Sequence, residues 1–402
     1  MSLDMLAILL SFSCLAIFVL SISPQSTSGL YFGHDLSVIN HIQNSSLSPR
    51  QITATENGDV YVVWVDKNNI YITSGHKNES KFGPQLLLNH DSKVVSSPQI
   101  TATEKGDVYV VWVDINNVTG HSNIQFIGSN DGGKTFSPRK ELKGGDTISF
   151  SPQITATEKG DVYVVWVDKS SKTGDTDITF RSSHDGGKTF SPRTELRRGD
   201  TISFSPQITA TEKGDVYVVW VDKSSKTGDT DITFRSSHDN GTIFDNRKKL
   251  RSNNLLSISP QITATESGEV YIVWTDKNGT TADSQISFRS SRDSGSNFDR
   301  IINLNKNENN LSISSSPQVA TTGNSVYVVW VDKHIQFKEI LVNDAIVGIP
   351  ISLSSKTTTS LSPQITATDK GDIYVLWIDK NNSTDRSLHL KRIGEYFIDR
   401  NP

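Results

Sequence analysis

Two polar residue types recur at fixed spacing along this 402-residue chain and could line a binding surface. Gln51, Gln99, Gln153, Gln207, Gln261, Gln318 and Gln364 each close a Ser-Pro-Gln step, which in the first copy is interrupted by Arg50. Asp66, Asp114, Asp168, Asp222, Asp276, Asp332 and Asp379 each stand two residues after a tryptophan. If the first hairpin of each copy has a two-residue turn, both sets meet at one rim. Amides and carboxylates gathered there would make a polar, cation-tolerant mouth for a glycan, a peptide or a metal ion. The plainer alternative has Asp capping the neighbouring Ser-Pro turn and Gln bonding to the adjacent copy. Asp175 and Asp177 could add oxygen ligands, but their spacing matches no calcium loop, so neither a metal nor a cofactor is expected.

These residues must be positioned by a repeat. The seven tryptophans, at positions 64, 112, 166, 220, 274, 330 and 377, sit in copies of one phrase, SPQITATxxGDVYVVWVD, at intervals of 47 to 56 residues. A period of this length with a strand-turn-strand phrase in each copy predicts a seven-bladed β-propeller of four-stranded blades, starting near 48, 96, 151, 205, 259, 316 and 362. In the third copy the expected strands are 153–158, 162–168, 177–182 and 194–196, with a tight turn at Lys159-Gly160. The second strand is apolar on both faces, as a sheet sandwiched between neighbours should be. The last copy runs out after a third strand at 388–393, and residues 36–42 are expected to pair with it and close the ring. Residues 151–185 are identical to 205–239, so these two copies have no separate tasks.

Four copies carry Ser-x-Asp-x-Gly-x-x-Phe, with the carboxylates at Asp131, Asp185, Asp239 and Asp293. An Asp can accept several backbone N–H groups of a tight turn in which Gly adopts positive φ. The pattern resembles the Asp-box, or bacterial neuraminidase repeat, of sialidase-like propellers, from about residue 48 onward. The resemblance implies that these Asp residues are structural and lie opposite any substrate site. It also implies a test for sialidase chemistry: three arginines on a substrate carboxylate, a Tyr–Glu nucleophile pair and an acid/base Asp. Such a site must be asymmetric. Arg181, Arg235 and Arg289 recur at one strand position, as do Tyr61, Tyr109, Tyr163, Tyr217, Tyr271, Tyr327 and Tyr374, and all read as blade residues. The Phe/Tyr-Arg-Ile-Pro motif is missing, and Arg50 is the one unusual arginine near an inner strand.

A formal net charge of −4 argues against a nucleic-acid partner. Residues 5–22 are apolar, so 1–29 reads as a signal peptide or an N-terminal membrane tether ahead of a 30–402 propeller. Eight Asn-x-Ser/Thr sequons suit an exported surface, and the only cysteine, Cys14, lies in the apolar run, so no disulfide is expected. The sequence therefore points to a secreted or surface-displayed, monomeric, non-catalytic scaffold that recognises glycan or extracellular protein. The alternative is a sialidase-like exo-glycoside hydrolase.

Overall fold

The computed structural model describes residues 29–37, 51–76, 82–89, 94–143, 148–170, 173–197, 202–224, 226–251, 256–278, 283–305, 314–322, 325–341, 346–354, 359–368, 370–380 and 386–396. Among these residues the fold is all-β, and no helix is long and apolar enough to cross a membrane. The apolar segment 5–22 and Arg50 lie outside the described residues.

Alternation along the second strand explains the architecture. In the third repeat this strand is Val162–Lys169, and everything from Val162 to Asp168 is buried. Tyr163, Val165 and Val167 pack with Val216, Val218 and Trp220 of the next repeat. Val162, Val164 and Trp166 pack with Tyr109, Val111 and Val113 of the preceding one. Each sheet is thus covered on both faces by its neighbours, and successive side chains serve different partners.

The unit is antiparallel throughout: an inner strand Ile148–Ala156, the Trp-bearing strand, a third strand Thr176–Ser183 and a short outer strand Thr194–Arg197. The inner strand starts five residues before the expected boundary because it carries a bulge. Phe150 pairs with Val167 but Gln153 with Val165, so the inner strand holds one extra residue. Ser151 takes that place with φ 51°, and Ser97, Ser205, Ser259, Ser316 and Ser362 repeat it with φ between 50° and 54°. The proline that follows has no N–H to give the ladder, so the ladder is interrupted where the chain cannot use it. The first connection is a five-residue loop, 157–161, closed by Thr157 N–H to the Asp161 carbonyl at 2.9 Å, rather than a two-residue turn.

Among the described residues the hydrogen-bonded ladders form four separate sheets. Packing joins what the ladders leave apart. Seven apolar clusters among the described residues each span two units consecutive in the chain or the first and last. One of them sets Ile52, Val62 and Trp64 against Tyr374, Leu376 and Ile378, so the last unit packs on the first. Lys370 adds a backbone N–H to the Glu56 carboxylate at 3.0 Å across the same junction. The strand that completes the last unit is Gly29–Ser37, which pairs with Arg386–Tyr396. It begins earlier than the expected 36–42, of which Leu36 and Ser37 belong to it and 38–42 lie outside the described residues.

Two glycines with the same φ of 77° separate backbone strain from crowding. A Cβ on Gly228 would meet nothing within 4 Å, whereas one on Gly241 would lie 2.7 Å from the Phe180 ring of the preceding unit. Gly228→Ala should lower the unfolding free energy by about 1–2 kcal/mol, the cost of a left-handed residue alone. Gly241→Ala should cost clearly more, and urea denaturation of the two variants measures the difference.

Candidate functional site

The second strand places Trp and Asp two residues apart, hence on the same face. In the third unit Asp168 is buried and accepts the Trp166 indole N–H at 2.9 Å and the Ser149 hydroxyl at 2.6 Å on one oxygen. Its other oxygen accepts from Thr179 at 3.0 Å and from the Arg193 guanidinium at 3.3 Å. Asp222 repeats the arrangement with Trp220, Ser203, Thr233 and Arg247. Asp276 has Trp274, Ser257 and Ser287 in the same places, but the arginine facing it, Arg251, comes from the outer strand of the preceding unit. Asp114 holds Trp112 and Arg139. The expectation that these carboxylates ring a channel mouth is therefore corrected. The strand alternation that buries the indole carries the carboxylate between the sheets with it, and buried charge is tolerated there only because every strand supplies a partner.

The glutamines are placed differently. Gln153, Gln207, Gln261, Gln318 and Gln364 line a cavity of about 250 Å³ shared by five consecutive units, together with the bulge serines Ser151, Ser205, Ser259, Ser316 and Ser362. The Ser-Pro bulge turns this segment toward the cavity, and no hydrogen bond among the described residues engages these five amides. Gln51 and Gln99 occupy the same strand position, half-buried, and are not among its lining residues. The bulge was the missed signal, although a proline at a fixed place inside each strand run announces it.

The Asp-box turns are structural in detail. Asp131 accepts from the Ser129 hydroxyl at 2.7 Å, the Lys134 and Thr135 backbone N–H groups at 3.0 and 2.9 Å, and the Thr135 hydroxyl at 2.5 Å. These bonds, led by the Thr135 hydroxyl, hold its carboxyl at about 2. The Asn297 backbone and side chain hold Asp293 at about 2 in the same way, and Asp185 and Asp239 are lowered too. Arg181 spends its whole fork on backbone: Ser191 and Phe190 carbonyls of its own turn at 2.6 and 3.0 Å, and Leu142 of the preceding unit at 2.9 Å. Arg235 and Arg289 do the same, so the three repeated arginines staple units together and do not converge on a ligand. Burial, aided by nearby carboxylates, pushes the Tyr61 and Tyr109 phenols up to about 12, the opposite of what a nucleophile needs.

Units 1, 6 and 7 depart from this pattern. The loop after the second strand shrinks from residues 170–175 in unit 3 to 67–68 in unit 1 and to Lys333 alone in unit 6. Asp66 Oδ1, Trp330 Nε1 and Trp377 Nε1 are buried without partners among the described residues, and Asp66 and Asp332 are half-buried. Asp379 instead accepts from Ser360 at 2.5 Å and faces His389.

No protein-family model and no curated protein matches the sequence. Solved structures do match the fold. The polysaccharide lyase Uly1 is 11% identical, with a TM-score of 0.59, over 92% of this chain and 94% of its own. An α-L-arabinanase from Penicillium chrysogenum, solved with arabinobiose, is 13% identical, with a TM-score of 0.54, over 79% of this chain and all of its own. An α-L-arabinofuranosidase from Fusarium graminearum is 14% identical, with a TM-score of 0.53, over 75% and 93%. The class is thus an all-β, propeller-like fold shared with carbohydrate-active enzymes. The expected non-catalytic recognition scaffold is overturned by this comparison, because the neighbours are mostly glycoside hydrolases and polysaccharide lyases and favour the enzyme alternative.

Two outcomes follow from the buried carboxylates and the box turns. Trp220→Phe and Trp377→Phe both leave a cavity beside the smaller ring, but only the first also strips an N–H donor from a buried carboxylate, so by chemical denaturation Trp220→Phe should cost about 1–3 kcal/mol more than Trp377→Phe, whose N–H has no acceptor among the described residues. Asp131 and Asp293 have folded-state pKa values below the ordinary 3.8. Their contribution to stability is therefore complete above about pH 4 and lost as pH falls through about 2. The melting temperature of an Asp131→Ala/Asp293→Ala double variant should sit below wild type at pH 6 and converge on it near pH 2.

Proposed function

We propose that this chain is a seven-bladed Asp-box β-propeller acting outside the cell as an exo-glycoside hydrolase, with the sugar seated at the glutamine-lined cavity. The observation that carries the reading is a set of five amides lining one cavity with no hydrogen-bond partner among the described residues. A primary amide offers both donors and acceptors, which matches the hydroxyls of a sugar ring. A volume of about 250 Å³ is at the small end for a ligand site and suits a single chain-terminal residue better than a long polymer. The lining is uncharged, and the repeated arginines are spent on backbone carbonyls, so a neutral sugar fits better than a sialic acid. Fold neighbours that act on arabinose polymers support the same substrate class.

Purified protein offered arabinan, other neutral polysaccharides, ulvan and sialosides should release monosaccharide from a neutral polymer, read as new reducing ends. Gln207→Ala and Gln261→Ala should each raise KM about fivefold, from roughly 1 kcal/mol per lost hydrogen bond, with melting temperature unchanged. Products with an unsaturated, ultraviolet-absorbing end would assign a lyase instead. No product from any polymer, or a KM indifferent to both substitutions, would sink the proposal.

A further inference from the structure

The third-strand position held by Arg181, Arg235 and Arg289 in units 3 to 5 is Lys338 in unit 6 and Ile127 in unit 2. In unit 3 the Arg181 guanidinium donates to three backbone carbonyls, Leu142 of the preceding unit and Phe190 and Ser191 of its own box turn. It also lies 5.9 Å from the centre of the Phe190 ring. Unit 2 keeps every one of these acceptors. Its box turn closes as in unit 3, with the Ser137 N–H on the Gly128 carbonyl at 2.7 Å and the Gly128 N–H on the Ser137 hydroxyl at 3.1 Å. Leu88 of unit 1 stands where Leu142 stands in unit 2, since Leu87 pairs with Tyr71 as Glu141 pairs with Gln125. Ile127 has no donor, and its side chain ends where an arginine stem would go on to its guanidinium. No hydrogen bond among the described residues engages the Leu88, Phe136 or Ser137 carbonyl.

What remains is a cleft of about 500 Å³ between units 1 and 2, walled by Leu86, Leu88, Ile127 and Phe136. Ile127 is buried and packs with Leu88 and Phe136, whereas Leu86 is 38% exposed. Lys134 and Arg139 also line the cleft. Lys188 and Arg193 hold the same turn positions beside the filled slot of unit 3, and Arg139 is paired with Asp114 at 3.1 Å, so these charges do not keep a guanidinium out.

We infer that this cleft is a docking slot for an arginine side chain of a partner protein, which supplies from outside the fork that units 3 to 5 carry within the chain. Three carbonyls beside an aromatic face suit a planar guanidinium, with five donors and no acceptor. An ammonium suits them less, as Lys338 shows by reaching a single carbonyl in unit 6. Exposed Leu86 and Pro138 at the edge offer apolar contact to residues flanking that arginine, which favours a peptide over a free guanidinium compound.

The test titrates the purified protein with capped probes, read on the methyl NMR signals of Leu86, Leu88 and Ile127. The probes are arginine, citrulline (the same shape without the charge), aspartate and the peptide Ala-Leu-Arg-Leu-Ala. Arginine should shift these signals saturably, with citrulline at least about tenfold weaker and the peptide at least about tenfold tighter. Ile127→Arg fills the slot from within and should abolish peptide binding, with a melting temperature at or above wild type. Arg181→Ile should open an equivalent slot between units 2 and 3 and raise the peptide stoichiometry from one to two, a gain that misfolding cannot mimic. Should Ile127→Arg fold poorly, the wild-type preference for arginine over citrulline and the Arg181→Ile stoichiometry still decide. Equal affinity for arginine and citrulline, signals that arginine leaves unmoved, or tighter binding of aspartate overturns the slot. A peptide that binds no tighter than arginine alone overturns the protein partner. The hydrolase reading is untouched by any of these outcomes.

Discussion

A buried carboxylate bonded to the indole two residues before it is the contact on which the regular units depend. Asp168 could not sit between two sheets as an isolated charge, since desolvation would far outweigh any packing gained. It is stable because the inner strand contributes Ser149, the second strand Trp166, the third Thr179 and the outer region Arg193. One group thereby pins the register of a whole sheet. A slip by one residue would carry the tryptophan to the other face and leave the charge without partners.

The same contact explains where variation is affordable. In units 2 to 5 the indole, the carboxylate and an arginine form a closed set, and Arg181, Arg235 and Arg289 tie the box turns of units 3 to 5 to the previous unit. In unit 6 Lys338 stands at that arginine position and reaches only the Leu304 carbonyl, at 2.6 Å. Burial lowers its pKa, and no box turn remains for it to hold. Unit 6 packs on unit 7 and unit 7 on unit 1, so the unsealed indoles and the short loops fall in one sector. Asymmetry is what a reaction centre needs, because one substrate must meet different groups on different sides.

Much of this was legible from residue spacing. The tryptophan interval anticipated the units, the valine-rich second strand anticipated burial on both faces, and the Ser-x-Asp-x-Gly-x-x-Phe turns have the hydrogen bonds their composition suggests. The failures have local causes. Asp168 and its equivalents looked like rim residues because their position near a strand end is visible in sequence, whereas the face they point to depends on which sheet lies beside them. The scaffold reading failed because repetition was taken as the absence of specialisation.

The sequence alone determined which segments become strands and that they recur, because pleat alternation and turn chemistry act over a few residues. Tertiary structure decided which polar groups are spent and which are left over. Ser203 reaches Asp222 across nineteen residues, Arg181 reaches Leu142 across thirty-nine, and Lys370 reaches Glu56 across 314. Partners that far apart in the chain meet only when sheets stack, so the amides left facing the cavity emerge only from the folded molecule.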